Sequence, residues 1–447
     1  MSTQLPKTRV IFYVLYCIIF VIFIEVLWSF HGLFSQESLA TAIKGASNGG
    51  GAPSTNTQKV QPSPPPMVDA TVVNANQGIR GQRLDHVMSS SVSGNGKFPT
   101  TSFTISTSFS GRKKEKVAYA ITVTKDGHFV DGALVLGYAA RKAHLQSKYG
   151  VDLIAFVAPT VITARSILSA NGWKVLEKGL PVALDEIENQ NYAQKMKNSG
   201  CCGADEFLKL WAFTLTDYHR VIHLDMDSII FQNMDELFDL DKEMLFTGDY
   251  NMKGRSPVVP AQGGFLVVRP SMDTFHEFQA IIRKGDHTGK GWEGSRIGNF
   301  WGGQTIQGIV PFFYHVKHPE RGEEVNRCLY NCMVDNPYRP KTNICLDGHE
   351  KCEDCRLQKP ENVKSAHFTI CQKPWTCTLH TNPKNNVLCE ALHVKWFALR
   401  DELEKESNVD LSYRKQNSRF KKSLGMCKGY GDDKYIPIPL KENKEIG

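Results

Sequence analysis

The segment HLDMDSIIF, residues 223–231, places two aspartates one residue apart where an apolar run ends. RVIHL at 220–224 has the apolar pattern of a buried strand. Ligands of open parallel sheets bind at the carboxyl ends of the strands, which is where Asp225 and Asp227 stand. Because side chains i and i+2 of an extended segment point to the same side, both carboxylates can face one ligand.

The aspartate pair needs a positive charge nearby. Two carboxylates this close repel each other and raise each other's pKa unless a cation lies between them. Mg²⁺ or Mn²⁺ supplies that charge and keeps coordination positions open for phosphates. We therefore interpret the pair as a cation site that holds a diphosphate leaving group. Two alternatives stay open: an Asp-rich turn that caps the next segment, and the nucleophile motif of a haloacid dehalogenase-type phosphohydrolase, which belongs on the first strand of its domain.

Strand and helix patterns alternate in the chain before this pair. The predicted strands are VAYAITV (117–123), DLIAFVA (152–158) and WKVLE (173–177). The predicted helices are FVDGALVLGYAARKAHLQSKYG (129–150, ended by Gly150), TARSILSANG (163–172) and EFLKLWAFTLTDY (206–218). This alternation predicts an α/β fold of Rossmann-like type, with a mainly parallel central sheet and helices on both faces.

The N-terminus has the pattern of a membrane anchor. Residues 10–30 form an apolar run, about the 20 residues that are needed to cross a bilayer core. Lys7 and Arg9 precede it, which favours a cytoplasmic N-terminus (1–9) and a single-pass type II topology. A cleaved signal peptide is the alternative, but its small-residue cleavage site is not evident. Residues 31–115 are rich in Gly, Ser, Asn and Pro, and we predict that they form a flexible low-complexity stem.

The cysteines favour an oxidising compartment. Eight of the twelve fall between Cys328 and Cys389, which predicts disulfides. Zinc is the alternative, since Cys352 and Cys355 form a C-x-x-C pair. The formal net charge of +7 is modest for 447 residues and does not predict nucleic-acid binding.

The segment FLKLWAFTLTDYHRVIHLDMDSIIFQNMDELF, 207–238, resembles the glycogenin-like glycosyltransferases, family eight of the nucleotide-sugar transferases, which have the GT-A fold. Three more blocks match in order: TVTKDGHFVDGALVLG (122–137), QGGFLVVRPS (262–271) and HFTICQKPW (367–375). The resemblance covers about residues 116–380. We expect a GT-A domain at 116–405, with a Cys-rich insertion at 320–366. The C-terminal tail at 406–447 follows, and its last forty residues are predicted to be poorly ordered.

The resemblance implies a retaining transferase that moves a hexose from a UDP-sugar with Mn²⁺ (or Mg²⁺). It implies that Asp225, Asp227 and His367 are the metal ligands. The implied catalytic residues are Lys209, Gln307 and Gln262. The implied donor-binding residues are Thr122, Thr124, Phe129, Gly264, Gly308, Lys373 and Trp375. A glycan, protein or lipid acceptor is expected, in the lumen of the Golgi or endoplasmic reticulum.

One departure from the family pattern bears on activity. The family usually has D-Q-G where this chain has Ile306, Gln307 and Gly308, and the missing aspartate usually contacts hydroxyl groups of the donor sugar. Gln262 stands where the family has Asn, and Phe129 where a Tyr often stacks on uracil. A catalytically inactive sugar-nucleotide-binding or scaffolding protein of the same fold is therefore the alternative prediction.

Overall fold

The computed structural model describes residues 115–200, 202–378, 387–414 and 418–439. The predicted membrane anchor at 10–30 and the stem up to residue 114 lie outside these residues. Within the described part of the chain, no helix combines the length and the apolar character that a bilayer span requires.

The described chain alternates strands and helices. The strands are β1 (Lys116–Val123), β2 (Gly150–Val157), β3 (Trp173–Glu177), β4 (Arg220–Leu224), β5 (Ser228–Ile230), β6 (Met244–Gly248), β7 (Ala261–Val268), β8 (His287–Thr288), β9 (Gly291–Trp292), β10 (Gly322–Glu324), β11 (Tyr338–Arg339), β12 (Ile344–Cys345) and β13 (Ser365–His367). The α-helices are α1 (Phe129–Ala143), α2 (Thr163–Ala170), α3 (Gln190–Lys197), α4 (Asp235–Phe238), α5 (Met272–Lys284), α6 (Ile306–Phe312), α7 (Arg327–Tyr330) and α8 (Val387–Glu406). A 3-10 helix spans Gly203–Thr214.

The central sheet has the strand order β10-β6-β7-β4-β1-β2-β3. β1 runs parallel to β2 and β4, β2 to β3, and β10 to β6, whereas β7 is antiparallel to β4 and β6. The predicted mainly parallel sheet is confirmed. Because β2 lies on one side of β1 and β4 on the other, the carboxyl ends of β1 and β4 border the crevice where such sheets bind ligands.

Both faces of the sheet are covered, as predicted. Along β1, Tyr119 and Ile121 pack into the core on the side of α1 and α8. Ala118 and Ala120 pack on the opposite side, with the 3-10 helix, α5 and α6. The period-two alternation of a strand thus serves two apolar layers, which explains why β1 has no polar face.

Two helix predictions need correction. α1 ends at Ala143 and not at Gly150, because the His144 N–H bonds to the Arg141 carbonyl at 3.2 Å and the Leu145 N–H to the Lys142 carbonyl at 3.3 Å, which closes the helix. Leu145, which fitted the helical spacing, is 80% exposed, and Gly150 begins β2. The segment predicted as a helix at 206–218 is a 3-10 helix that ends at Thr214.

The Cys-rich region is stapled by disulfides, as predicted, and also extends the sheet. Cys328 pairs with Cys355 and Cys345 with Cys352, so the C-x-x-C pair that suggested zinc is divided between two disulfides. Two further disulfides, Cys371–Cys389 and Cys377–Cys427, lie beyond it. The region at 320–366 is more than a stapled loop, because its β10 pairs with β6 at the sheet edge.

The prediction of a poorly ordered C-terminal tail is wrong for residues 418–439. Cys427, Tyr435 and Ile438 are buried in the core. The Tyr435 hydroxyl donates to Asp131 Oδ2 at 2.8 Å, and the Ile438 backbone N–H donates to the same oxygen at 2.8 Å. The tail is therefore held by a disulfide and by a buried carboxylate on α1, neither of which its composition reveals.

Candidate metal and nucleotide site

The DMD turn, residues 225–227, connects β4 to β5 in the crevice beside β1. The Asp225 N–H bonds to the Gly264 carbonyl of β7 at 3.3 Å, and the Ser228 N–H bonds to the Asp225 carbonyl at 3.0 Å. β5 pairs antiparallel with β13, and this register places His367 opposite Ser228. The two aspartates and His367, distant in sequence, are thus brought together by backbone pairing.

The three side chains converge on one point. His367 Nε2 lies 3.2 Å from Asp227 Oδ1 and 3.8 Å from Asp225 Oδ2. One ligand atom from each of the three residues lies within 4.8 Å of the other two. The carboxylates therefore face one another and the imidazole.

Each carboxylate is also held by a lysine through its other oxygen. Lys209 Nζ lies 2.8 Å from Asp225 Oδ1, and Lys373 Nζ lies 3.0 Å from Asp227 Oδ2. The oxygens that remain, Asp225 Oδ2 and Asp227 Oδ1, are those that face His367. The lysines thus occupy two of the four carboxylate oxygens. The other two oxygens and the imidazole nitrogen face one another and could bind one ion.

Electrostatics keep both carboxylates ionised. Burial raises the pKa of Asp227, but His367 and Lys373 outweigh it, so this pKa lies well below its usual value. Burial raises the pKa of Asp225, which Lys209 and His367 nevertheless lower below its usual value. Burial lowers the pKa of His367, but Asp227 and Asp225 raise it above its usual value. A cation binds the neutral form of the imidazole, so its binding competes with protonation of His367.

The residues present fit a divalent cation. Two carboxylate oxygens and one imidazole nitrogen suit Mn²⁺ or Mg²⁺ and leave coordination positions for other ligands. Gly264 forms the floor of the site, because a Cβ atom there would lie 2.7 Å from His367 Nδ1 and 2.9 Å from Asp225 Oδ2. His367 Nδ1 is itself buried without a hydrogen-bond partner among the described residues. Only glycine at position 264 allows His367 and Asp225 to lie this close to the backbone of β7.

An aromatic and cationic group borders the site on the side of β1 and α1. Trp375 is buried against Gly132 of α1, where a Cβ atom would lie 2.6 Å from Trp375 Cη2. The half-buried Phe129 ring meets the Trp375 ring edge-on at 5.2 Å, and Lys373 Nζ lies 5.8 Å from the Phe129 ring centre. The predicted residues Phe129, Lys373 and Trp375 are thus brought together, with Trp375 behind Phe129.

The two predicted threonines lie at the carboxyl end of β1. Thr122 Oγ1 hydrogen-bonds with His223 Nε2 at 2.8 Å, which ties β1 to β4 just before the DMD turn. Thr124 follows the end of β1 and is half-buried. Both threonines therefore border the crevice, but Thr122 already has a protein partner.

The predicted sugar-side residues lie on β7 and at the start of α6. Gln262 is buried, and its Oε1 accepts a hydrogen bond from the Gly264 N–H. Gln307 is half-buried at the start of α6, where its Oε1 lies against Gly302. Gly308 packs against the Gly303 carbonyl so closely that a Cβ atom would collide with it.

Ile306 is fully buried beside the site. Its Cγ2 would lie 3.4 Å from a Cβ atom at Gly263, the residue before the Gly264 floor. An apolar side chain therefore fills the position where the family pattern has an acidic one.

Sequence reasoning missed two residues that shape the site. Glu206 Oε2 lies 2.8 Å from Lys209 Nζ, one 3-10 turn away, and both side chains are buried. Their i, i+3 spacing was the available signal. Gly132 was the other, since a glycine inside a helical pattern often marks a close packing contact.

The chain is similar to glycosyltransferases. No protein-family model matches it. It is 28% identical over 174 residues to inositol phosphorylceramide glucuronosyltransferase 1 of Arabidopsis thaliana, a match that covers 39% of this chain and 28% of that protein. It is 21% identical over 352 residues to putative UDP-glucuronate:xylan alpha-glucuronosyltransferase 5 of the same plant, covering 76% and 52%. It is 28% identical over 212 residues to human glycogenin-2, covering 44% and 36%.

These relatives confirm the predicted resemblance to the glycogenin-like glycosyltransferases. The chain spans about half the length of these relatives or less. Among solved structures, an active-site mutant of LgtC is similar with a TM-score of 0.41 at 10% identity, covering 69% of this chain and 100% of that chain.

Proposed function

We propose that this protein is a retaining glycosyltransferase that moves a hexose from a UDP-sugar to an acceptor, with Mn²⁺ or Mg²⁺ held by Asp225, Asp227 and His367. The observation that carries the proposal is the convergence of three ligand atoms within 4.8 Å, at the carboxyl end of β4. The similarity to glycosyltransferases supports it. A bound cation would stabilise the negative charge that develops on the diphosphate leaving group.

The donor's nucleoside belongs on the side of β1. Phe129 and Lys373 border the site there, whereas β7 and α6 border it on the opposite side. An aromatic ring can stack on a base. A lysine between the ring and the cation ligands is placed to meet a diphosphate. The sugar and the acceptor then lie towards β7 and α6.

Lys209 acts by holding Asp225. Its ammonium group has three N–H donors, and three acceptors surround it: Glu206 Oε2, Asp225 Oδ1 and the Gly263 carbonyl at 3.0 Å. No donor remains for a substrate, so its catalytic contribution is to fix the carboxylate that faces the cation.

The groups beside the donor sugar favour attack from the front face. Gln307 carries an amide, which can orient or polarise a substrate but is a poor nucleophile. The acceptor hydroxyl would then attack on the side that the leaving group vacates, with a phosphate oxygen of the departing UDP as the base. Ile306 supplies no hydrogen-bonding group, so among the predicted sugar-side residues Gln262 and Gln307 are the two whose side chains can contact sugar hydroxyls.

The cellular setting is also part of the proposal. The apolar run at 10–30 and the stem at 31–115 favour a single-pass type II protein of the Golgi or endoplasmic reticulum membrane, with the GT-A domain at 116–405 in the lumen and a tail at 406–447. The four disulfides suit that oxidising compartment. We expect a glycan, protein or lipid acceptor and no nucleic acid.

The alternative is an inactive sugar-nucleotide-binding or scaffolding protein. It is favoured by Ile306, which is buried where the family pattern has an acidic residue. The discriminating experiment incubates the full-length chain with a panel of UDP-sugars and measures release of UDP with and without Mn²⁺. Release that requires Mn²⁺ and is lost in Asp227→Asn supports the enzyme. Mn²⁺-dependent UDP binding without any release supports the alternative, and absence of UDP binding rejects both.

A further inference from the structure

Two disulfides flank the segment that carries Lys373 and Trp375. We call residues 372–376 the KPW segment. Cys371, immediately before it, pairs with Cys389 of α8, and Cys377, immediately after it, pairs with Cys427 of the C-terminal tail. The segment is therefore attached at both ends to elements that lie far from it along the chain.

Both attachment points are fixed on the domain. α8 buries Leu392 and Trp396 in the core beside α1. The tail is fixed by Tyr435, whose hydroxyl donates to Asp131 of α1 at 2.8 Å. In addition, His393 Nε2 of α8 donates to the Gln372 carbonyl at 3.0 Å. The disulfides thus connect the KPW segment to rigid neighbours.

The backbone at the ends of the KPW segment adopts conformations that its residues do not favour intrinsically. Gln372 has φ +60° and Cys377 has φ +53°, both in the left-handed region that side-chain-bearing residues rarely adopt. Such conformations persist where the surrounding structure imposes them. Here the left-handed residues stand at the two ends of the segment, one of them being a disulfide cysteine.

Within the segment, Lys373 faces the candidate site and Trp375 supports the Phe129 ring. Lys373 Nζ lies 3.0 Å from Asp227 Oδ2, and Trp375 packs on Gly132 behind Phe129. A binding surface that is ordered beforehand does not have to be ordered when the ligand arrives, and this raises affinity.

We propose that the disulfides Cys371–Cys389 and Cys377–Cys427 are positioning elements that hold Lys373 and Trp375 in place for the nucleotide, so that affinity for a nucleoside diphosphate depends on their being formed. This inference rests on the proposed function. It adds that the KPW segment is built before the donor binds, and that the oxidising compartment sets the affinity of the site and not only the stability of the fold.

The test compares two disulfides in the full-length chain. Cys377→Ser/Cys427→Ser removes one clamp, and Cys345→Ser/Cys352→Ser removes a short loop disulfide that closes only seven residues. Calorimetry measures the affinity for UDP in the presence of Mn²⁺. We expect the clamp variant to bind UDP at least about tenfold more weakly, and the control variant to bind like the wild type. Equal affinity in all three proteins would overturn the inference.

A second measurement separates positioning from general stabilisation. If the disulfide acts through Lys373, then Lys373→Ala weakens UDP binding strongly in the wild type and little in the clamp variant. A purely structural role gives additive losses, which would also overturn the inference. If Cys377→Ser/Cys427→Ser does not fold, Cys371→Ser/Cys389→Ser takes its place in the same comparison.

Amide hydrogen exchange tests the clamp without nucleotide. The Thr376 N–H bonds to the Lys373 carbonyl at 2.9 Å, and the Cys377 N–H bonds to the Pro374 carbonyl at 3.1 Å. Both amides should exchange slowly in the wild type and in the control variant, and fast in the clamp variant. If the wild type does not bind UDP, the proposed function fails, and this exchange pattern still decides whether the segment is clamped. Unchanged exchange of the two amides in the clamp variant would reject the proposal that the disulfide holds the KPW segment in place.

Discussion

Gly264 of β7 lies so close to His367 of β13 that a Cβ atom at residue 264 would stand 2.7 Å from His367 Nδ1. The same atom would stand 2.9 Å from Asp225 Oδ2. Because glycine has no side chain, residue 264 leaves room for the His367 imidazole and the Asp225 carboxylate to face one another. The geometry of the candidate cation site therefore depends on the backbone of β7 as well as on the three proposed ligands.

The first prediction concerns this floor. Gly264→Ala should weaken Mn²⁺ binding by about 10- to 100-fold, because the new methyl group displaces both His367 and Asp225 from the point that they share. Calorimetric titration with Mn²⁺ measures the effect. Gly289→Ala is the matched control, since nothing lies within 4 Å of a Cβ atom at that position. Similar Mn²⁺ affinity in the two variants would contradict the proposed ligand set.

The second prediction concerns the metal and its carboxylates. A ligand present at 100 times its dissociation constant stabilises the folded state by about 2.7 kcal/mol. Mn²⁺ should therefore raise the melting temperature of the wild type, and EDTA should reverse the rise. Asp227→Asn should abolish the rise because it removes one charged ligand. Asp241→Asn, whose side chain is 95% exposed in a pair with Arg269, should keep it. A Mn²⁺-induced rise that survives in Asp227→Asn would exclude this carboxylate from the site.

Much of the fold follows from local sequence patterns. β1, β4 and the DMD turn were predictable because a strand of this kind buries both faces and ends where polar residues begin. The end of α1 was not predictable in the same way. Leu145 fits the helical period, but the helix ends at Ala143 and His144 caps it. Beyond the cap, the Ser147 hydroxyl donates a hydrogen bond to Asp235 Oδ1 of α4 at 2.8 Å. Tertiary contacts decide such boundaries.

The candidate site likewise contains residues that local sequence predicts and residues that only tertiary structure places. Asp225 and Asp227 follow from their position at the end of a strand, whereas His367 stands 140 residues beyond Asp227 and was found only through the resemblance. The packing of the tail depends on the disulfide Cys377–Cys427, and connectivity cannot be deduced from cysteine spacing. Glu206 shows the converse, because its spacing to Lys209 was visible but only the structure shows that both are buried.

The third prediction concerns the buried pair of Lys209 and Glu206. Lys209→Met removes the ammonium group that lies 2.8 Å from both the Glu206 and the Asp225 carboxylates, which should lower the free energy of unfolding by about 3–5 kcal/mol. Adding Glu206→Leu removes one of these two carboxylates and should recover much of that loss. Sugar transfer should stay impaired in the double variant, because Asp225 is still not held. Denaturant unfolding and UDP release measure the two effects.

An exposed pair gives the control for this prediction. Lys405, on α8, pairs with Asp401 at 2.8 Å, and its side chain is 61% exposed. Lys405→Met should cost less than about 1 kcal/mol, because water screens such pairs. If Lys209→Met were equally mild, the structural role assigned to Lys209 would be wrong. Full recovery of UDP release in the Lys209→Met/Glu206→Leu variant would show that Lys209 does not act through Asp225.

The fourth prediction concerns His393, which supports the KPW segment from α8. Burial lowers its pKa to about 4, although its hydrogen bond to the Gln372 carbonyl opposes this. In the unfolded chain its pKa is about 6.5. The unfolded state therefore binds a proton that the folded state does not accept between about pH 6.5 and pH 4. The contribution of His393 to stability is fully present above about pH 6.5 and is lost as the pH falls through that window.

The loss should reach at most about 3.5 kcal/mol, since the two pKa values differ by about 2.5 units and each unit corresponds to about 1.4 kcal/mol. His393→Gln keeps a donor for the Gln372 carbonyl but does not titrate, so its unfolding free energy should fall less between pH 6.5 and pH 4 than that of the wild type. Denaturant unfolding at several pH values measures the slope. His276→Gln, at an exposed position on α5, is the control for loss of a histidine side chain. If His393→Gln also keeps the wild-type slope, the imidazole must be charged or exposed in the folded protein, contrary to its burial.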